Sequence, residues 1–168
     1  MKNTDTTTAR KILVSQGSSA LNDQVNNMVE GYVQLKDAFV EADMASVKDK
    51  SSAFIKLAQS IDSNELKKDS SMYMVLKGNV GDLVSNAQSI LAQNDITEMR
   101  RDFSSLSESL YSFLHTINYS GPTLYFQNCP MAFNDDEPAN WISKSAQIMN
   151  PYLGKKHPKY KAGMLNCG

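Results

Sequence analysis

Asp95-Ile96-Thr97-Glu98-Met99-Arg100-Arg101-Asp102-Phe103-Ser104-Ser105-Leu106-Ser107-Glu108-Ser109-Leu110-Tyr111-Ser112-Phe113-Leu114-His115-Thr116-Ile117 is the stretch that sets the fold class. Met99, Phe103, Leu106, Leu110, Phe113 and Ile117 recur every three or four residues, the spacing that lines one face of an α-helix. Asp95 with Glu98 three residues on makes an acidic capping box, so the pattern predicts a helix up to about Ile117. His115 falls near its end, where a cation suits the helix dipole; it reads as a surface or capping residue rather than a ligand.

The same period runs upstream. Val25, Met28, Val29, Tyr32, Leu35, Phe39 and Ala42 predict a first helix from Asn22 to Asp43, capped by Asn22 or Asp23. Asp43 then caps a second helix with Val47, Phe54, Ile55, Ala58 and Ile61 inward, and Asp62-Ser63-Asn64 breaks it. A third runs from Leu66 to Ala92 through Met72, Leu76, Val80, Leu83, Ala87 and Ile90. Gly78 and Gly81 inside it each cost about 1 kcal/mol relative to alanine, and are read as a close approach by a neighbour or a kink. Met28, Met72, Met74 and Met99 are read as core or its border. Four amphipathic helices joined by short turns predict an all-α, antiparallel up-and-down four-helix bundle.

At 168 residues the chain is one ordinary domain, assigned to residues 22–168 behind a polar Thr- and Ser-rich linker at 1–21. With 41% hydrophobic and 21% charged residues it is a globular rather than a disordered sequence. A net charge of -1 leaves no basic surplus for nucleic acid, and no run approaches a membrane span. The segment 1–21 has no apolar leader core. It reads as a tether of the kind that follows a removed leader or lipid anchor, with a cytoplasmic protein as the other reading.

Residues 118–168 behave differently. Ser120-Gly121-Pro122 closes the helical part, and Thr123 to Gln127 reads as a strand or an extended staple. Beyond Cys129 the periodicity is lost and Pro130, Pro138, Pro151 and Pro158 intervene, so an irregular tail packed across the bundle is expected, with Tyr125, Trp141 and Tyr152 plugging it down.

This tail holds both cysteines of the chain, each with a methionine nearby: Cys129-Pro130-Met131 and Met164-Leu165-Asn166-Cys167. In an extended tripeptide Cys129 and Met131 point to one side, and Met164 and Cys167 converge in a turn. Thiolate with thioether is a soft donor set that favours monovalent copper, with Met149 and His157 as additional donors; zinc sites rarely use thioethers. The other reading is a Cys129–Cys167 disulfide, worth about 4 kcal/mol on the chain-entropy estimate.

Catalysis has little support. His115 and His157 lack a companion nucleophile motif, no glycine-rich phosphate loop occurs, and Asp135-Asp136-Glu137 lacks calcium-loop spacing. That acidic run reads as a solvated turn, and Lys155 to Lys161 as a basic exposed loop.

The blocks Tyr125 to Phe133, Trp141-Ile142-Ser143, Ile148 to Gly154 and Met164 to Gly168, with Arg100 to Phe103 and Tyr32 to Ala38, resemble the domain-of-unknown-function family 3347 over roughly residues 25–168. The resemblance implies an exported protein, either free-standing or akin to the C-terminal domain of periplasmic adaptor subunits of heavy-metal efflux systems. It thereby implies a link to copper or related metals. Two departures stand out: histidines that many members carry on the third and fourth helices are absent, and Lys155 to Ala162 is an insertion. The expectation is a non-enzymatic, periplasmic or lipid-anchored protein that binds copper through Cys129, Met131, Met164 and Cys167. It would work with a metal-efflux adaptor or a metallochaperone. The alternative is an interaction module stapled by the disulfide.

Overall fold

The computed structural model describes residues 19–62, 64 and 70–168. Four helices are followed by a hairpin: α1 Ser19–Glu41, α2 Met44–Gln59, α3 Ser70–Ala92, α4 Ile96–Thr116, β1 Tyr125–Phe133 and β2 Glu137–Ser143. Helices successive in sequence pack as neighbours, and β2 lies against α4 and α1. The fold is therefore predominantly helical, and the all-α expectation is corrected by a two-stranded antiparallel sheet.

Two caps stand where the sequence puts them. Asp43 Oδ1 accepts from Ser46 N at 3.2 Å and Asp95 Oδ1 from Glu98 N at 3.1 Å, each satisfying an orphan amide of the first turn. The first helix departs from its expected bounds, because Ser19 to Leu21 are already helical and Asn22 and Asp23 lie inside it rather than capping it. The expected start of the third helix falls in 65–69, outside the described residues.

The inward stripes are buried as the spacing requires: Tyr32, Leu35 and Phe39 from α1, Val47 and Phe54 from α2, Leu83 and Ile90 from α3, Phe103 and Leu106 from α4. Phe103 is the hub, with ring centroids 5.2 Å from Tyr32, 4.7 Å from Phe39 and 5.8 Å from Tyr152. Met28 and Met99 are core, whereas Met74 is 64% exposed and leaves that group. Gly78 and Gly81 face open space, since nothing lies within 4 Å of a Cβ built on either; the close-approach reading is withdrawn.

The hairpin is where the sequence reading falls short. β1 and β2 pair Gln127 with Trp141 and Cys129 with Ala139, then shift register before Phe133 pairs with Glu137. The irregularity spans Pro130, which has no N–H for the ladder. The turn uses left-handed Asn134 (φ 54) and Asp135 (φ 64), residue types that tolerate that region. Trp141 and Tyr152 are buried as expected, but Tyr125 is 39% exposed and plugs nothing.

A single hydroxyl sews the layers together. Tyr32 OH is 2.7 Å from Ser107 Oγ on α4 and accepts from Ile142 N on β2 at 3.0 Å, all buried. Burial pushes this phenol well above its ordinary range, the two hydrogen bonds opposing the shift. It stays a neutral donor–acceptor.

Candidate functional site

The tail after β2 is held by backbone chemistry rather than by periodic packing. Asn150 is fully buried, and its Oδ1 accepts from Tyr152 N at 2.9 Å and Leu153 N at 3.0 Å. Its Nδ2 donates to Cys167 O at 2.7 Å, and its N–H to Leu165 O at 2.7 Å. One side chain thus shapes the Asn-Pro-Tyr-Leu-Gly turn and clasps the far end of the tail onto it. The signal in the sequence is asparagine before proline with glycine four residues on, an Asx-type turn closed by a left-handed residue.

That glycine is required. Gly154 has φ +61, and a Cβ there would lie 2.7 Å from Arg100 Nη2 and about 3 Å from the carbonyls of Val40 and Phe39. Arg100 itself is 6% exposed, donating from Nε to Pro151 O at 2.9 Å and from Nη2 to Phe39 O at 3.0 Å. Burial lowers its pKa to about 10, and no carboxylate ion pair among the described residues offsets it. The Phe39 carbonyl near the C-terminal end of α1, with the helix dipole behind it, and the Pro151 carbonyl of the tail are the compensation. Lys155 N donates to Val40 O at 2.9 Å and its Nζ pairs with Glu41, so the tail is moored at the end of α1.

This mooring brings the two ends of the tail together. Cys129 is fully buried on β1, Cys167 is half-buried, and their sulfurs are 3.8 Å apart. Both are free thiols, so the disulfide of the alternative reading is not formed between Cys129 and Cys167 in this structure. Burial first, and then the hydrogen bond with Cys129, hold the Cys167 thiol above its ordinary value. Met164 and Cys167 do share a turn, with Cys167 N donating to Met164 O at 3.0 Å. Met131 continues the inward alternation of Gln127 and Cys129, and both Met131 and Met164 pack half-buried against the core. Met149 is also half-buried, one residue before Asn150. Among the described residues no three of His, Cys, Asp and Glu gather for a metal. Chemically, two thiols at this distance can share a soft cation or be oxidised.

His157 is committed to a turn. Its Nδ1 accepts from Lys159 N at 3.1 Å and Tyr160 N at 3.2 Å, and its ring stacks on Tyr160 at 4.8 Å. Only Nε2 is left for a metal. Desolvation, then the Arg100 charge, lowers its pKa below the ordinary imidazole value, with Asp135 opposing. A folded pKa below the unfolded one means the neutral ring is the stabilising form. The turn's stability is therefore present above about pH 6.5 and lost as pH falls through the folded value. In an NMR titration the His157 pKa is expected below 6.5, and the Lys159 and Tyr160 amides should lose exchange protection as the ring protonates. A His157 pKa at or above the free-imidazole value would contradict this account.

The acidic turn and the basic loop meet each other instead of solvent alone. Asp135 receives Lys159 Nζ at 2.8 Å and the Tyr160 hydroxyl at 2.9 Å, contacts that hold its carboxyl below the usual carboxylate range. Glu137 pairs with Arg101 at 3.0 Å.

These features define a helical domain that presents a dithiol where a hairpin and a clasped C-terminal segment converge. The chain belongs to the family described as "Protein of unknown function (DUF3347)", whose family model matches residues 28–120. The match covers α2 to α4 and the second part of α1; both cysteines lie beyond it. No curated protein and no solved structure matches the chain.

Proposed function

We propose that this chain is a non-enzymatic soft-metal-binding protein of the cell envelope that takes up monovalent copper and buffers it or passes it to an efflux system. The observation behind the reading is the 3.8 Å separation of two thiol sulfurs from opposite ends of the tail. Half that separation against a metal–thiolate bond of about 2.3 Å gives an angle of roughly 110° at the cation. A linear pair would need sulfurs about 4.6 Å apart. The dithiol therefore fits two corners of a three- or four-coordinate site, and the thioethers of Met131 and Met164 are the soft donors nearest in sequence. Met149 and the Nε2 of His157 are further candidates. The four helices, as an antiparallel up-and-down bundle, serve as the platform. A periplasmic or lipid-anchored position and a metal-efflux adaptor or metallochaperone as partner follow from the family resemblance.

Anaerobic titration of the reduced protein with copper(I) against a competing chelator tests this. Tight binding is expected in the wild type, weakened more than about 100-fold when Cys129 and Cys167 are both replaced by serine. Equal affinity in the two proteins would end the proposal.

One observation favours a second reading, an interaction module. Tyr111, Tyr125 and Phe126 are each about two-fifths exposed beside a groove of about 220 Å³ between α4 and β1, with Tyr111 and Phe126 stacked at 4.3 Å. Exposed aromatics of this kind are common at protein interfaces.

A further inference from the structure

We propose that Cys129 and Cys167 form a dithiol–disulfide couple, entered through Cys167, whose oxidation closes the metal site; the metal part of this inference rests on the function proposed above. The two sulfurs differ in access: Cys129 is fully buried beneath the hairpin, while Cys167 is half-buried near the end of the tail. An external reagent therefore meets Cys167 first. The main chain around Cys167 is tied down by Asn150 Nδ2 to its carbonyl at 2.7 Å and by its own N–H to Met164 O at 3.0 Å. Closing the 3.8 Å gap to a disulfide bond of about 2.05 Å falls to side-chain rotation and a small shift of the tail.

The chemistry is thiol–disulfide exchange with an external organic disulfide as oxidant. The Cys167 thiolate attacks one sulfur of that disulfide, forming a mixed disulfide and expelling one thiolate. The Cys129 thiolate, already next to Cys167 Sγ, attacks that atom and expels the second. Two protein thiols lose two protons and two electrons, and one external disulfide becomes two thiols. Once the two sulfurs are joined in a neutral disulfide, no thiolate remains to hold a cation.

Oxidised glutathione is the probe, read by intact mass on the full chain. The wild type is expected to lose the mass of two hydrogen atoms with no lasting adduct. Cys129→Ala should stop at a single glutathionyl adduct on Cys167, and Cys167→Ser should react at least about tenfold more slowly. An adduct that persists on the wild type, or a Cys167→Ser protein that reacts as fast as Cys129→Ala, would overturn the couple. The wild-type measurement needs no variant to fold. Copper(I) titration of the oxidised protein should show loss of binding that a reductant restores. Oxidised protein that binds as well as reduced sinks the gating and leaves the metal site standing. Reduced protein that binds no copper(I) sinks the metal site and the gating with it, leaving the couple to stand or fall on the mass data.

Discussion

Trp141→Ala is expected to lower the stability of the fold by about 3–5 kcal/mol. Trp141 is fully buried and meets Tyr152 edge-on at 6.0 Å. A Cβ at Gly168 would come within 2.9 Å of the Trp141 ring, so the end of the tail lies directly on the indole. The indole N–H finds no partner among the described residues, which leaves apolar packing as the whole of its contribution. Truncation removes the floor beneath the hairpin and the tail together, and neither can collapse into the space while Asn150 and Arg100 hold the backbone. A fall in Tm of roughly 6–20 °C follows for a chain of this size. Trp141 is the only tryptophan, so unfolding is followed by circular dichroism. The same change should make Cys129 more reactive to a thiol reagent, because the clasp above it loosens. A loss below about 1 kcal/mol would mean the indole is not the packing centre of the tail.

Phe103→Ala is expected to cost about as much, toward the top of the 3–5 kcal/mol range. Its ring is fully buried among Tyr32, Phe39 and Tyr152, three aromatic pairs each worth about 0.5–1.5 kcal/mol beyond their area. The hole would persist. Tyr32 is pinned by its hydroxyl to Ser107 and Ile142, and Tyr152 by its hydroxyl to Asn140 O, so neither ring is free to tip inward. Urea unfolding at an unchanged m-value measures the loss, and Phe103→Leu should recover more than half of it. If the alanine and leucine variants are equally stable, the hub does not carry the weight assigned to it.

The helical half of the chain was legible because its determinants are local. Three- and four-residue spacing and a capping aspartate act within a few residues of each other, so Asp43, Asp95 and the stripes around Phe54 and Phe103 could be read directly. The hairpin was not, because Pro130 and Pro138 interrupt its strand pattern and only pairing across the turn restores it. Arg100 shows the same limit on a helix: its position looks like an ordinary polar place in the pattern. Its burial is set by the distant carbonyls of Phe39 and Pro151. Asn150 and Gly154 carry a local turn signal, but the clasp of Asn150 onto Leu165 and Cys167 is a non-local contact that spacing does not assign.

By itself the sequence determined four helices, their inward faces, and a soft-donor composition concentrated in the last quarter of the chain. Only the tertiary structure decided that Cys129 and Cys167 meet. Their approach depends on a hairpin register, a buried asparagine clasp and a guanidinium at the end of α1, the last two through side-chain hydrogen bonds to Cys167, Pro151 and Phe39 that span 17 to 61 positions. Local periodicity carries no information about such contacts, because their energy appears only once the intervening chain has folded.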